Sequence, residues 1–76
     1  MIAHLVMAEK TLGEIVRELR EARSMTQAQL AEKAQVALSY ITLLEAGQQR
    51  NPSRQILQRI ARALAVPAKQ LLDPEG

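Results

Sequence analysis

Few residues in this chain carry reactive or ligating chemistry, and they are scattered. There is one histidine, His4, and no cysteine, so neither a zinc set nor a paired nucleophile and base is present. Glu14, Glu18 and Glu21 alternate with Arg17 and Arg20 at helical salt-bridge spacing, the pattern of a solvated helix face. Gly13, Gly47 and Gly76 lie too far apart in sequence to form a phosphate-cradling loop. This pattern argues against an enzyme and against any metal or cofactor.

Charge is the remaining chemistry. The chain has 76 residues and a net charge of +2. Yet from Ala46 to Leu72 there is no acid to set against Arg50, Arg54, Arg59, Arg62 and Lys69. A basic half of this kind suits a polyanion, and it equally suits a solvated face that balances the acidic first half.

The elements that must position these groups are helices. Leu, Ile, Val and Ala dominate the apolar set, and Tyr40 is the only aromatic residue, a composition that favours packed helices over a sheet. A single domain of this size buries only about 60% of its unfolded surface, and without cysteine no disulfide reinforces it. Thr11 with Glu14 forms a capping box that opens the first helix, along which Ile15, Val16, Leu19 and Ala22 recur at helical spacing. Thr26 with Gln29 opens the second, with Leu30, Ala31 and Ala34 as its apolar stripe. Gln35-Val36-Ala37 is too short for anything but a tight turn.

The third helix runs roughly from Ala37 to Ala46, with Tyr40, Ile41 and Leu44 facing inward and Gly47 as its left-handed stop. Ser53 caps the fourth, whose stripe is Ile56, Leu57, Ile60, Ala61 and Leu64. Pro67 opens a short fifth helix through Leu71 and Leu72. The expected organisation is an all-α, compact five-helix domain over residues 12–72. An N-terminal arm (1–11) precedes it, and a frayed tail (73–76) follows. "MIAHLVM" is too short to span a bilayer and has no charged leader segment. Translation starting at Met7 and an apolar arm that docks on a partner subunit through Ile2, Leu5 and Val6 are both open. The absence of cysteine suits a reducing cytoplasm.

Two helices joined by a tight turn form a helix-turn-helix, and here the residues themselves resemble a known family. "TQAQLAEKA", "YITLLEAG", "NPS" and "LQRIARALAV" together resemble the lambda-like phage repressor and Cro (Xre-type) DNA-binding domains across about residues 12–72. The resemblance implies a lambda-repressor-like fold. It also implies a sequence-preferring regulator of double-stranded DNA in which helix 3 enters the major groove and helix 2 braces it. It places Gln27 at a phosphate, beside the free N–H groups that open helix 2. Tyr40 and the loop residues Gln48, Gln49, Arg50, Asn51, Ser53 and Arg54 are placed at the DNA backbone. Arg20 and Glu45 become a structural salt bridge between helix 1 and the end of helix 3.

Helical geometry adds the reading face. At 100° per residue, Ser39, Thr42 and Ala46 point away from the inner face of helix 3, flanked by Leu38 and Leu43. Base reading then falls on Leu38, Ser39, Thr42 and Leu43, the leucines meeting thymine methyls. Alternatively, Leu38 and Leu43 form a protein-docking patch, as in an interaction module or antitoxin-type regulator with a protein partner. Useful affinity for DNA normally needs a two-fold dimer, and the expected homodimer seam is Val66, Pro67, Ala68, Leu71 and Leu72.

The chain departs from the family in three places. Gln35 stands where relatives often have glycine, so a strained turn is expected. Ala37 stands where they often have Ser or Thr, which removes the usual cap of helix 3. No Arg, Lys, Asn or Gln lies on the central reading face, so bidentate pairing with guanine or adenine is not available there.

Overall fold

The computed structural model describes residues 10–72, the side chain of Leu72 excepted. The expected arm residues Ile2, His4, Leu5 and Val6 and the tail at 73–76 lie outside the described residues. Five helices follow in order: α1 Leu12–Ala22, α2 Gln27–Ala34, α3 Leu38–Glu45, α4 Arg54–Leu64 and α5 Ala68–Leu72. No strand occurs among the described residues.

Both capping boxes form. Thr11 Oγ1 accepts from the Glu14 N–H while Glu14 reaches back to the Thr11 N–H, each at 3.1 Å. Thr26 and Gln29 repeat the exchange at 3.0 and 2.9 Å. Ser53 caps α4 by accepting from Ile56 N–H at 3.2 Å. The cap of α3 differs: Ala37 occupies the position with extended backbone and no side-chain hydrogen bond, because a methyl group has nothing to accept with.

The core gathers one stripe from each helix. Val16, Leu30, Ile41, Leu44, Ile60 and Leu64 are fully buried, joined by Ile15, Ala31, Ala34, Leu57, Ala61 and Leu71. Leu19, Val36, Tyr40 and Ile56 are half-buried against this cluster. Ala22, expected on the stripe of α1, is exposed as that helix's last residue. α2 packs on α3 and α4, α1 on α3, and α5 on α4 and α1, so α3 is held from behind by two helices.

Leu71 corrects the expected dimer seam. It is 3% exposed, because α5 folds back onto α1 and α4 and turns that leucine into the domain's own core. Pro67 is exposed, and Val66 and Ala68 are half-buried. Leu72 ends α5, and its side chain lies outside the described residues.

The helix ends carry an unexpected regularity. Ser24, Gln35 and Ala65 have φ of 55°, 60° and 60°, and Gly47 has φ of 83°, so α1 to α4 all stop at a left-handed residue. In each case the next N–H reaches back into the last turn. Met25 N–H donates to Arg20 O at 3.1 Å, and Val36 N–H to Ala31 O at 3.0 Å. Gln48 N–H donates to Leu43 O at 2.9 Å, and Val66 N–H to Ala61 O at 3.0 Å. These bonds satisfy carbonyls that a helix end otherwise leaves open. They offset a Cβ penalty of roughly 1–2 kcal/mol at each non-glycine position.

Candidate nucleic-acid interface

α3 presents its outer face to solvent. Ser39, Thr42 and Ala46 are exposed, and Leu38 and Leu43 are the exposed large hydrophobic residues among those described, at 48% and 43%. Tyr40 is half-buried and divides its ring between core and edge. Ile41 and Leu44 anchor the opposite face at full burial. The helix is therefore greasy on both sides for separate reasons: one side holds the domain together, and the other is left free.

Beneath the exposed face runs a polar network. Arg20 Nε donates to Glu45 Oε2 at 2.7 Å and Arg20 Nη2 to Glu45 Oε1 at 3.0 Å, a two-pronged pair joining α1 to the end of α3. The third donor, Nη1, closes the α1–α2 turn by bonding Met25 O at 2.7 Å. The two side chains are 11% and 3% exposed. The Glu45 hydrogen bond holds the Arg20 pKa above its ordinary value, against a smaller opposing cost of burial. Glu45, the one acid on α3, is thus neutralised from behind and leaves no bare negative charge toward a polyanion.

Gln27 extends the network. Its Nε2 donates to Glu45 Oε1 at 3.0 Å, and its Oε1 accepts from the Thr42 hydroxyl at 3.0 Å. The side chain expected at a phosphate is therefore engaged within the domain. One amide hydrogen remains for an anion, together with the backbone N–H groups of Gln27 and Ala28 in the first turn of α2. Thr42, expected to read bases, directs its proton to the protein. No sequence spacing announces this link, because Gln27 and Thr42 lie on different helices and meet only when α2 packs on α3.

The loop after α3 brings the remaining polar groups to one side. Gln48, Arg50, Asn51, Ser53 and Arg54 are exposed and Gln49 is half-buried. Arg50 Nε donates to Gly47 O at 3.3 Å, which keeps its guanidinium beside the end of α3. Ser53 uses an oxygen lone pair as the α4 cap but keeps its O–H to donate. Gly13 was missed from sequence. A Cβ there would collide with the backbone carbonyl of Leu44, so this glycine lets α1 pack directly against the end of α3. Among the described residues no cluster of His, Cys, Asp or Glu is placed to hold a metal, and no helix is long and apolar enough to cross a membrane.

Known proteins resemble this chain in sequence and fold. The helix-turn-helix family profile matches residues 16–71. The HTH-type transcriptional regulator SinR of Bacillus subtilis (strain 168) is 37% identical over 62 residues, which cover 82% of this chain and 56% of SinR. The immunity repressor protein of Bacillus phage phi105 is 35% identical over 65 residues, covering 86% of this chain and 44% of that repressor. The chain thus spans about half the length of the curated relatives it matches. A crystal structure of SinR, the master regulator for biofilm formation, in complex with DNA aligns at a TM-score of 0.80 and 36% identity. That alignment covers 83% of this chain and 100% of the SinR chain. By sequence, fold and helix geometry together, this chain belongs to the lambda-repressor-like (Xre-type) helix-turn-helix family.

Proposed function

We propose that this chain is a DNA-binding transcriptional regulator that lays α3 in the major groove of a double-stranded operator. The observation that carries the reading is the outer face of α3. It is left uncovered between the N-terminus of α2 and the basic loop, on a domain similar throughout to one solved on DNA. A B-DNA major groove is about 12 Å wide and accepts one α-helix with its side chains. Arg50 and Arg54, with Gln48, Gln49, Asn51, Ser53, Tyr40 and the opening turn of α2, grip the phosphates and set register. Leu38, Ser39, Thr42 and Leu43 meet base edges, with the leucines against thymine methyls.

A homodimer supplies affinity by engaging two half-sites about 34 Å apart. With Leu71 committed to the core, its seam falls on Val66, Pro67 and Ala68. The protein acts in the cytoplasm, where bacterial and phage DNA is transcribed, and has no enzymatic role.

The exposed Leu38 and Leu43 also favour a second reading, in which this face docks on a protein and the helix-turn-helix serves only as scaffold. Fluorescence anisotropy separates the two. The purified chain is titrated onto the DNA upstream of its own coding sequence and onto a scrambled duplex, over a salt series. The DNA reading expects tighter binding to the upstream duplex and affinity that falls steeply with salt. Equal, weak binding to both duplexes overturns it in favour of a protein partner. Replacing Arg50 and Arg54 together by alanine should abolish operator binding. Any residual binding should show a salt slope shallower by about 0.9 for each phosphate left without its arginine.

A further inference from the structure

A threonine hydroxyl has one proton to give and two lone pairs to receive. On a DNA-reading face the direction of that proton decides which bases are tolerated. At Thr42 the protein settles the direction through a chain of donors and acceptors beginning on another helix.

The Arg20 guanidinium only donates, and it gives two of its protons to the Glu45 carboxylate at 2.7 and 3.0 Å. The carboxylate only accepts, so the Gln27 atom that meets Glu45 Oε1 at 3.0 Å must be the amide nitrogen. The orientation of the Gln27 amide is thereby fixed, and its carbonyl oxygen is the atom turned toward Thr42. That oxygen only accepts, so the Thr42 hydroxyl donates to it at 3.0 Å. The second acceptor within reach, Leu38 O at 3.2 Å, also lies within the domain. Both destinations for the proton are on the protein side. Thr42 is exposed, and what it offers outward is lone pairs.

We propose that Thr42 is a specificity-determining residue that presents only a hydrogen-bond acceptor to the major groove. It therefore selects the exocyclic amino group of adenine or cytosine at the base it meets. This rests on the DNA-reading role of α3 proposed above. In the major groove the donors are adenine N6–H₂ and cytosine N4–H₂, whereas guanine offers N7 and O6 and thymine offers O4, all acceptors. A guanine or thymine at the contacted position sets lone pair against lone pair. Gln27 is the positioning residue, and the Arg20–Glu45 pair orients it in turn. A structural ion pair at the end of α3 thereby fixes a hydrogen-bond polarity one turn back along the same helix.

The test has two stages. Sites are first selected from a randomised duplex pool by the wild-type chain and by Thr42→Val, which keeps the shape and removes the hydroxyl. The base pair whose preference the valine erases is the one Thr42 contacts. Duplexes are then made in which only the amino group of that pair is deleted, with purine in place of adenine or 2-pyrimidinone in place of cytosine.

The wild type should lose about five- to tenfold in affinity, the worth of one neutral hydrogen bond. Thr42→Val should bind both duplexes equally, and Thr42→Ser, which restores the hydroxyl, should recover the loss. The inference is overturned if the wild type tolerates loss of the amino group but weakens when the acceptor is removed, as in 7-deazaguanine. It is equally overturned if Thr42→Val selects the same sites as the wild type. Failure of the wild type to select any sequence overturns the DNA reading itself, an outcome distinguishable from the other two.

Discussion

Arg20 is the residue on which most of the interface geometry depends. Its guanidinium joins α1, the α1–α2 turn and the end of α3 through three hydrogen bonds. Both members of the pair are nearly buried, so removing one strands the other's charge in a poor solvent. Arg20→Ala or Glu45→Ala is expected to cost about 3–5 kcal/mol, measured by urea denaturation. The double alanine variant should lose less than the sum, because no charge is left unpaired. The pH behaviour follows from the direction of the Arg20 shift. A raised pKa in the folded state means that its contribution is fully present below the unfolded value and lost only above it. Since that value already lies far above the neutral range, the stability difference between wild type and Arg20→Ala should stay level from pH 7 to pH 10.

At the scale of the elements, helix ends and one close crossing decide where α3 lies. Gly13 is where the backbones of α1 and α3 approach without a side chain between them. Gly13→Ala forces the two helices apart and should destabilise the domain by about 1–3 kcal/mol. In a domain this small, that is roughly 4–8 °C of melting temperature for each kcal/mol. Ala65 offers the opposite experiment. It holds φ of 60° at the end of α4, a conformation that glycine adopts without a Cβ penalty. Ala65→Gly should raise the melting temperature by several degrees, gaining about 1 kcal/mol less glycine's greater entropy loss. It lies away from α3, so DNA affinity should not change. A fall in melting temperature would mean that the left-handed alanine carries no strain.

For the molecule as a whole, α5 serves the fold, and the proposed dimer seam lies around its start. Leu71 is buried in the domain's own core, so Leu71→Ala should cost about 2–5 kcal/mol as a cavity mutation. Pro67 is exposed beside it. Pro67→Glu should leave the melting curve of the isolated domain nearly intact while weakening self-association, read by sedimentation velocity. A dimer unaffected by Pro67→Glu would place the seam elsewhere. In the proposed function the basic segment from Ala46 to Leu72 belongs to the same scale: a field of that sign attracts a polyanion, and the attraction should fade as salt screens it.

The helices, their starts and the family are legible in local signals along the chain. Capping boxes, an N-cap serine and apolar periodicity are local signals, set by hydrogen bonds within four residues and by which side of a helix avoids water. They place Thr11, Thr26 and Ser53 at helix starts and Ile41 and Leu44 inward without reference to the rest of the chain. Gln35 in the left-handed turn and the uncapped start of α3 were legible too, each as a departure from a family pattern. The left-handed Ser24 and Ala65 were not, because neither residue type prefers that conformation and only the packed helix ends impose it.

Tertiary structure alone decided that Leu71 faces inward, that Gly13 is a crossing point and that Gln27 sits between Glu45 and Thr42. A leucine near a chain end serves a core or a partner equally well until the return of α5 is known. A glycine in the first turn of a helix carries no mark of what will pack on it. The direction of the Thr42 proton is furthest from the sequence, since it depends on side chains from three helices meeting within hydrogen-bond distance.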